Sequence, residues 1–105
     1  MKPIALDLTD ENKKRVVWYR DSYDWHIRFR HIDIKSCQDK IAKCLKNPQL
    51  KYVDKRRKST HYFYLQRINA KGQYIYFELI VDYNSDPAIV RTAYLTSNTN
   101  GATVC

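Results

Sequence analysis

Glycine, proline and cysteine are all scarce in this chain, with two, three and three residues respectively among 105. So little glycine, together with a hydrophobic content of 44%, excludes a disordered or low-complexity chain and indicates one globular domain. The chain also lacks an apolar run as long as a membrane span and an N-terminal signal-peptide core. We therefore expect a protein that acts in the cytoplasm and not at a membrane.

The three cysteines, Cys37, Cys44 and Cys105, fit neither a disulfide nor a zinc site. Cys37 and Cys44 are two helical turns apart, roughly 10 Å along a helix axis, which is too far for a disulfide. No CxxC pair and no Cys/His cluster has the spacing of zinc ligands. We therefore expect reduced thiols and no metal.

Acidic residues are scarce in the middle of the chain, and this localises the net charge of +8. Residues 28–67 carry twelve basic and three acidic side chains, whereas the segments on either side are nearly balanced. Aromatic residues are interleaved with this charge, and nine of the fourteen aromatic residues of the whole chain are tyrosines. A local basic excess with interleaved aromatics is typical of a surface that binds nucleic acid. The alternative is a basic surface that only keeps the protein soluble.

Periodicity and stop signals predict two helices in the first half of the chain, after a short strand at residues 15–20. The first helix covers about 21–31 and the second covers 36–46, where Asn47-Pro48 ends it because a residue before proline avoids helical geometry. In the first helix, spacings of four and three residues place three side chains on one core-facing stripe. These side chains are Trp25, Phe29 and Ile32.

Three strands are predicted in the second half, at 60–68, 73–83 and 89–96, with Asn69-Ala70-Lys71-Gly72 as a hairpin turn. Alternation gives these strands one apolar face and one open, hydroxyl-rich face. We therefore expect an α+β domain, with two N-terminal helices packed on one face of an antiparallel sheet of about four strands. Its core is expected at 16–96, with mobile tails at 1–14 and 97–105. The apolar face comprises Phe63, Leu65, Ile75, Phe77, Leu79, Val81, Ile89, Ala93 and Leu95, and the open face comprises Tyr62, Tyr64, Gln66, Tyr74, Tyr76, Glu78, Thr92, Tyr94 and Thr96.

Several short motifs follow one another in a distinctive order over residues 16–96. They are His26-Ile27, Arg30-His31, Asn47-Pro48, Tyr62 to Tyr64, Thr92-Ala93-Tyr94 and Thr96. In this order they resemble the phage- and toxin-associated nucleases of the barnase–EndoU–colicin–RelE-like superfamily. Many relatives read Arg-His-Pro in the helical motif, where this chain has Ile32 after His31.

The resemblance implies an α+β ribonuclease fold and cleavage of RNA, such as tRNA or another structured RNA, with no metal and no cofactor. It also implies a toxin with an acidic immunity protein or antitoxin as its partner. Such nuclease domains act in the cytoplasm and are often delivered within a larger secreted or phage protein.

Cleavage of RNA without a metal needs a base, an acid, a cation beside the phosphate and groups that hold the nucleobase. Histidine is the residue type that can serve as acid or base near neutral pH, so His26 is the first candidate for that role, while Arg30, one turn later, is the candidate that stabilises the phosphate. The alternatives are a histidine that satisfies a helix–sheet contact and an arginine that pairs with Asp33 or Asp24.

Hydroxyl groups on the last strand complete the predicted site. Thr92 and Tyr94 share the open face and can donate hydrogen bonds to phosphate, or they are ordinary β-formers on an exposed face. His31, Thr96 and Tyr64 are secondary candidates. His26 and Arg30 can meet this strand only if the first helix lies at a sheet edge or projects past it, because helices behind the apolar face would hold them away from it.

RNA binding is predicted for a second set of basic and aromatic residues. Two other functions are compatible with the same sequence, namely a non-catalytic RNA-binding module and a partner-binding protein whose basic face docks an acidic immunity protein. The predicted RNA-binding residues are Lys55, Arg56, Arg57, Lys58, Arg67, Tyr62, Tyr74 and Tyr76.

Overall fold

The computed structural model describes the backbone of residues 2–30, 34–68, 70–97 and 103–104, and the side chains of these residues except 27–30, 34–39, 67, 103 and 104. Within this part of the chain, seven strands and two helices follow in order. They are β1 (Ile4–Thr9), β2 (Arg15–Tyr19), α1 (Arg20–Arg30), α2 (Ile34–Lys46), β3 (Leu50–Val53), β4 (Thr60–Ile68), β5 (Tyr74–Asp82), β6 (Ala88–Thr96) and β7 (Thr103–Val104).

The strands form one mixed sheet in the order β1-β2-β6-β5-β4-β3-β7. Strands β2 and β6 run parallel, whereas the other neighbouring pairs in the described part of the chain are antiparallel. The prediction of two helices on an antiparallel sheet of about four strands is therefore wrong. The error arises because the β2–β6 pair joins segments some seventy residues apart, and no local pattern encodes such a pairing.

Strand β1 lies in the segment that was expected to be a mobile tail. Leu6 and Leu8 alternate with Asp7 and Thr9, and β1 pairs with β2 along its length. Leu6 and Leu8 pack against the core, and Asp7 forms a salt bridge of 2.8 Å with Arg15 on β2. The alternation was present in the sequence and is the signal that would have predicted this strand.

Asp10 fixes the turn between β1 and β2. Its buried carboxylate accepts hydrogen bonds from the backbone N–H groups of Asn12 and Lys14, at 2.8 and 2.9 Å, and from the Tyr83 hydroxyl at 2.8 Å. Burial and this hydrogen bond to Asp10 raise the pKa of Tyr83 far above its ordinary value. The N-terminal hairpin is thereby attached to the end of β5.

The hydrophobic core lies between α2 and one face of the sheet. Ile41, Cys44 and Leu45 on α2 are fully buried against this face. The helix ends at Lys46, directly before Asn47-Pro48, which confirms the predicted stop. The sheet residues of the core are Val16, Trp18, Phe63, Leu65, Phe77, Leu79, Val81, Ala88, Val90 and Ala93.

A bulge in β6 changes which of its residues face the core. Val90 pairs with Val81 but Thr92 pairs with Ile80, so Arg91 is an extra residue between them. The side-chain alternation shifts at this point. Ile89 was therefore assigned to the wrong face, because Ala88 and Val90 occupy the core instead. Beyond the bulge, Thr92, Tyr94 and Thr96 lie on the face opposite the core, as predicted.

Candidate functional site

Helix α1 lies at an edge of the sheet. Strand β2 pairs with β6 only at Val16–Ala88 and Val17–Ile89, yet β6 continues to Thr96. Because α1 begins directly after β2 and contacts β1, β2 and β6, it runs beside the second half of β6, where β2 has ended. This is the placement that lets α1 reach the hydroxyl-bearing face of β6.

His26 and Thr92 are in direct contact across this edge. Nε2 of His26 lies 2.7 Å from Oγ1 of Thr92, and Nδ1 lies 2.8 Å from the backbone oxygen of Ser22. A carbonyl oxygen only accepts, so we assign the proton of the neutral ring to Nδ1, which donates to Ser22. Nε2 then accepts the hydrogen bond that the Thr92 hydroxyl donates.

Two tryptophans hold the His26 ring in place. His26 as a residue is 6% exposed, and its ring contacts Trp18 and Trp25 edge-on, with centroids 5.4 and 5.1 Å away. Trp18 is fully buried, and its Nε1–H donates to Oγ of Ser22 at 3.0 Å. Ser22 therefore binds both rings, through its carbonyl and its hydroxyl, and the tautomer and rotamer of His26 are fixed before any ligand arrives.

Trp25 does not lie in the core, contrary to the predicted stripe. It is 48% exposed, and Tyr23 occupies the core position on α1 instead. The helix rests on a sheet edge rather than across a face, and among its residues with described side chains, 20–26, Tyr23 and His26 are the buried ones. The side chain of Phe29, and Ile32 as a whole, lie outside the described residues.

Glu78 is a buried carboxylate on the sheet face of Thr92 that the sequence did not single out. It is 1% exposed, and its Oε1 is one of two buried side-chain atoms, among the described residues, without a hydrogen-bond partner. It lies in direct register between Tyr64 on β4 and Tyr94 on β6, on the face of Thr92. This face was expected to be largely open to solvent. At its centre that expectation is wrong, because Tyr64 and Glu78 are both buried there.

An open groove of ≈ 650 Å³ starts at Thr92 and crosses the sheet. Its floor includes Thr92, Ile80 and Tyr62, which are direct neighbours on three adjacent strands, so it extends about 10 Å from Thr92. Arg57 and Arg91 also line it, together with Asp54 and Asp82, and Arg91 forms a salt bridge of 2.8 Å with Asp82.

Asp54 fixes the backbone of the loop at the end of this groove, residues 54–59, which we call the basic loop because positions 55–58 are all Lys or Arg. Its carboxylate accepts hydrogen bonds from the backbone N–H groups of Arg56 and Arg57, at 2.8 and 2.9 Å, and from the Tyr62 hydroxyl at 3.2 Å. The backbone bonds are the main reason that the pKa of Asp54 is lowered. Burial and then the Asp54 hydrogen bond raise the pKa of Tyr62. The loop therefore presents its cations from a fixed backbone.

The remaining predicted residues that the structure describes lie in different parts of it and do not form one site. Lys55, Arg56 and Lys58 are exposed in the loop of Asp54, and Tyr74 is exposed at the far end of the β4–β5 hairpin. Tyr94, Thr96 and the partly exposed Tyr76 share the face of Thr92. The side chains of Arg30 and Arg67, and His31 as a whole, lie outside the described residues.

Comparison of the chain with protein-family models, with curated proteins and with solved structures finds no match to any of them. In the described part of the chain, neither helix combines the length and apolarity needed to cross a bilayer. The described His, Cys, Asp and Glu side chains also form no group of three or more that could hold a metal ion.

Proposed function

We propose that the protein is a metal-independent endoribonuclease that cleaves RNA by internal transesterification. The observation that carries this proposal is the contact between His26 and Thr92 at the edge of a tyrosine-bearing sheet face, beside a groove that ends at the basic loop of Arg57. An imidazole whose Nδ1–H is engaged and whose Nε2 meets a hydroxyl is arranged to move a proton at Nε2.

In the proposed reaction, Nε2 of His26 takes the proton of the ribose 2′-hydroxyl. The 2′-oxygen bonds to phosphorus, the bond from phosphorus to the 5′-oxygen breaks, and the 5′-oxygen leaves as a hydroxyl after taking a proton from water. The hydroxide that remains takes the proton from Nε2 of His26, which restores the neutral ring. The products are a 2′,3′-cyclic phosphate and a 5′-hydroxyl end. The Thr92 hydroxyl, released from Nε2 by the substrate, donates to a non-bridging phosphate oxygen.

Further groups bind the RNA around this centre. Tyr94 lies two residues beyond Thr92 on the same face, and Arg30 follows His26 by one helical turn, a spacing suited to a cation beside the phosphate. The groove extends from Thr92 past Tyr62 to the basic loop at Arg57, which suits an extended strand with its phosphates on the cations.

The toxin context is part of the same proposal. A cytoplasmic ribonuclease is harmful to the cell that makes it, and the net charge of +8 is complementary to an acidic immunity protein or antitoxin. We propose such a protein as the partner, bound over the basic loop and the groove.

Incubation of purified protein with total RNA in excess EDTA tests the proposal. We expect cleavage that persists without metal, yields cyclic-phosphate ends and disappears in His26→Ala. Thermal unfolding of this variant controls for lost folding. Salt-dependent RNA binding without cleavage by the wild type would instead identify a non-catalytic RNA-binding module. Tight binding to an acidic protein but not to RNA would identify a partner-binding protein.

A further inference from the structure

Trp25 is a large aromatic side chain that is both exposed and in contact with the proposed catalytic histidine. Nearly half of its surface is accessible, and its ring packs edge-on against His26 at a centroid distance of 5.1 Å, with the ring planes at 72°. Trp18, the other tryptophan that touches His26, is fully buried. An exposed indole at this position is therefore not needed to fill the core.

Trp25 and the groove lie on opposite sides of the contact between His26 and Thr92. The groove leads from Thr92 over β5 and β4, whereas Trp25 belongs to α1, which lies on the other side of β6, the side on which β2 pairs with it. Consider an RNA strand whose scissile phosphate lies at Thr92 and whose nucleotides on one side of that phosphate follow the groove. The nucleotides on the other side of the phosphate then lie next to Trp25.

On the basis of the proposed ribonuclease function, we propose that Trp25 stacks on an unpaired nucleobase adjacent to the scissile phosphate. Base–aromatic stacking is tolerant of sequence because every base has a π-face. In a double helix both faces of an interior base are covered by its neighbours, so such a base cannot also stack on Trp25. The substrate class is therefore RNA that is unpaired at the cleavage site, including the loops of structured RNA.

The binding test uses an unstructured 2′-O-methyl RNA oligonucleotide, which lacks the attacking hydroxyl and cannot be cleaved. We expect wild-type tryptophan fluorescence to be quenched on binding, and the quenching to vanish in Trp25→Phe, where only the buried Trp18 remains. Trp25→Ala and Trp25→Leu are expected to bind about ten- to a hundredfold more weakly. Trp25→Phe, which keeps an aromatic ring, is expected to retain most of the affinity.

Ile68→Ala is the matched control, because Ile68 is an apolar residue that is 65% exposed at the distal end of the β4–β5 hairpin. Its affinity for the oligonucleotide is expected to equal that of the wild type. The same oligonucleotide annealed to its complement is expected to bind without quenching. Wild-type affinity in Trp25→Ala and Trp25→Leu, or equal quenching by the duplex, would overturn the assignment.

The outcome is separable from that of the proposed function. If the wild type cleaves RNA in EDTA and Trp25→Leu does so with unchanged KM, stacking at Trp25 is wrong and the ribonuclease stands. If the wild type never cleaves RNA but Trp25 still governs quenching and affinity, the catalytic proposal fails, and Trp25 remains a base-stacking residue of an RNA-binding protein.

Discussion

Nε2 of His26 on α1 lies 2.7 Å from the hydroxyl oxygen of Thr92 on β6, across 66 positions of the sequence. The contact exists because β2 ends early beside β6 and leaves room for α1 at the sheet edge. The opposite ring nitrogen is held by the Ser22 carbonyl at 2.8 Å, so the orientation of the imidazole does not depend on a ligand.

Removal of the Thr92 hydroxyl should affect catalysis more than stability. Thr92→Val keeps the side-chain shape, and we expect kcat on RNA in EDTA to fall about a hundredfold, as for the loss of one donor to a developing oxyanion. Thr92→Ser restores the hydroxyl and should recover most of the rate. Steady-state kinetics give both values, and an unchanged kcat in Thr92→Val would remove Thr92 from the mechanism.

The groove should contribute to RNA affinity through charge. Arg57→Ala is expected to weaken binding of single-stranded RNA and to reduce the slope of log K against log salt by about 0.7, the effect of one lost phosphate contact. Lys71→Ala at the tip of the β4–β5 turn is the matched control with the same charge change. Equal slopes for the two variants would show that the strand does not follow the groove.

Glu78 should lower the stability of the fold. Its Oε1 is buried without a hydrogen-bond partner, and replacing such a group by an apolar side chain of similar shape is neutral or stabilising. We expect Glu78→Met to raise the free energy of unfolding by about 1 kcal/mol in urea denaturation. Glu11→Met, at a partly exposed surface ion pair with Lys51, should change it by less than about 0.5 kcal/mol. A loss of stability in Glu78→Met would show that this carboxylate stabilises the fold.

His61 should make stability depend on pH below neutrality. Burial, followed by the charge of Lys51, lowers the pKa of His61 from its ordinary value of 6.5, and Lys14, Asp10 and Tyr83 also lie close by. As the pH falls below about 6.5, the unfolded chain takes up the proton before the folded protein does, so the free energy of unfolding decreases. Above that pH, His61 is neutral in both the folded and the unfolded state, so its contribution to the free energy of unfolding does not change with pH.

His61→Gln, which does not titrate, isolates this effect. Urea denaturation at pH 7 and pH 5 should show a larger loss of stability in the wild type than in His61→Gln. Equal losses in the two proteins would mean that protonation of His61 is not coupled to folding.

Local sequence patterns predicted the second half of the molecule well. The β4–β5 hairpin is present, and alternation correctly assigned Phe63, Leu65, Phe77 and Leu79 to the core. The assignment of side chains to a sheet face follows from alternation along each strand. The pairing of β4 with β5 follows from the short turn that joins them.

Long-range features of the sheet could not be predicted in the same way. The parallel β2–β6 pair, the bulge at Arg91 and the edge position of α1 depend on contacts between remote segments. The edge position explains why Trp25 was wrongly assigned to the core. The sequence analysis also required an edge position of the first helix for His26 to contact the last strand, and the structure has α1 in that position. Burial of Glu78 likewise depends on how its sheet face is covered, which its own strand does not encode.

A double-mutant cycle on His26 and Thr92 tests the central claim most directly. Cleavage of an unstructured RNA in excess EDTA is measured as kcat/KM for the wild type, His26→Gln, Thr92→Val and the double variant. If the pair acts as one unit, the double variant should lose little more than the more damaging single change. Losses that multiply, or a wild-type rate equal to background, would contradict a reaction carried by this contact.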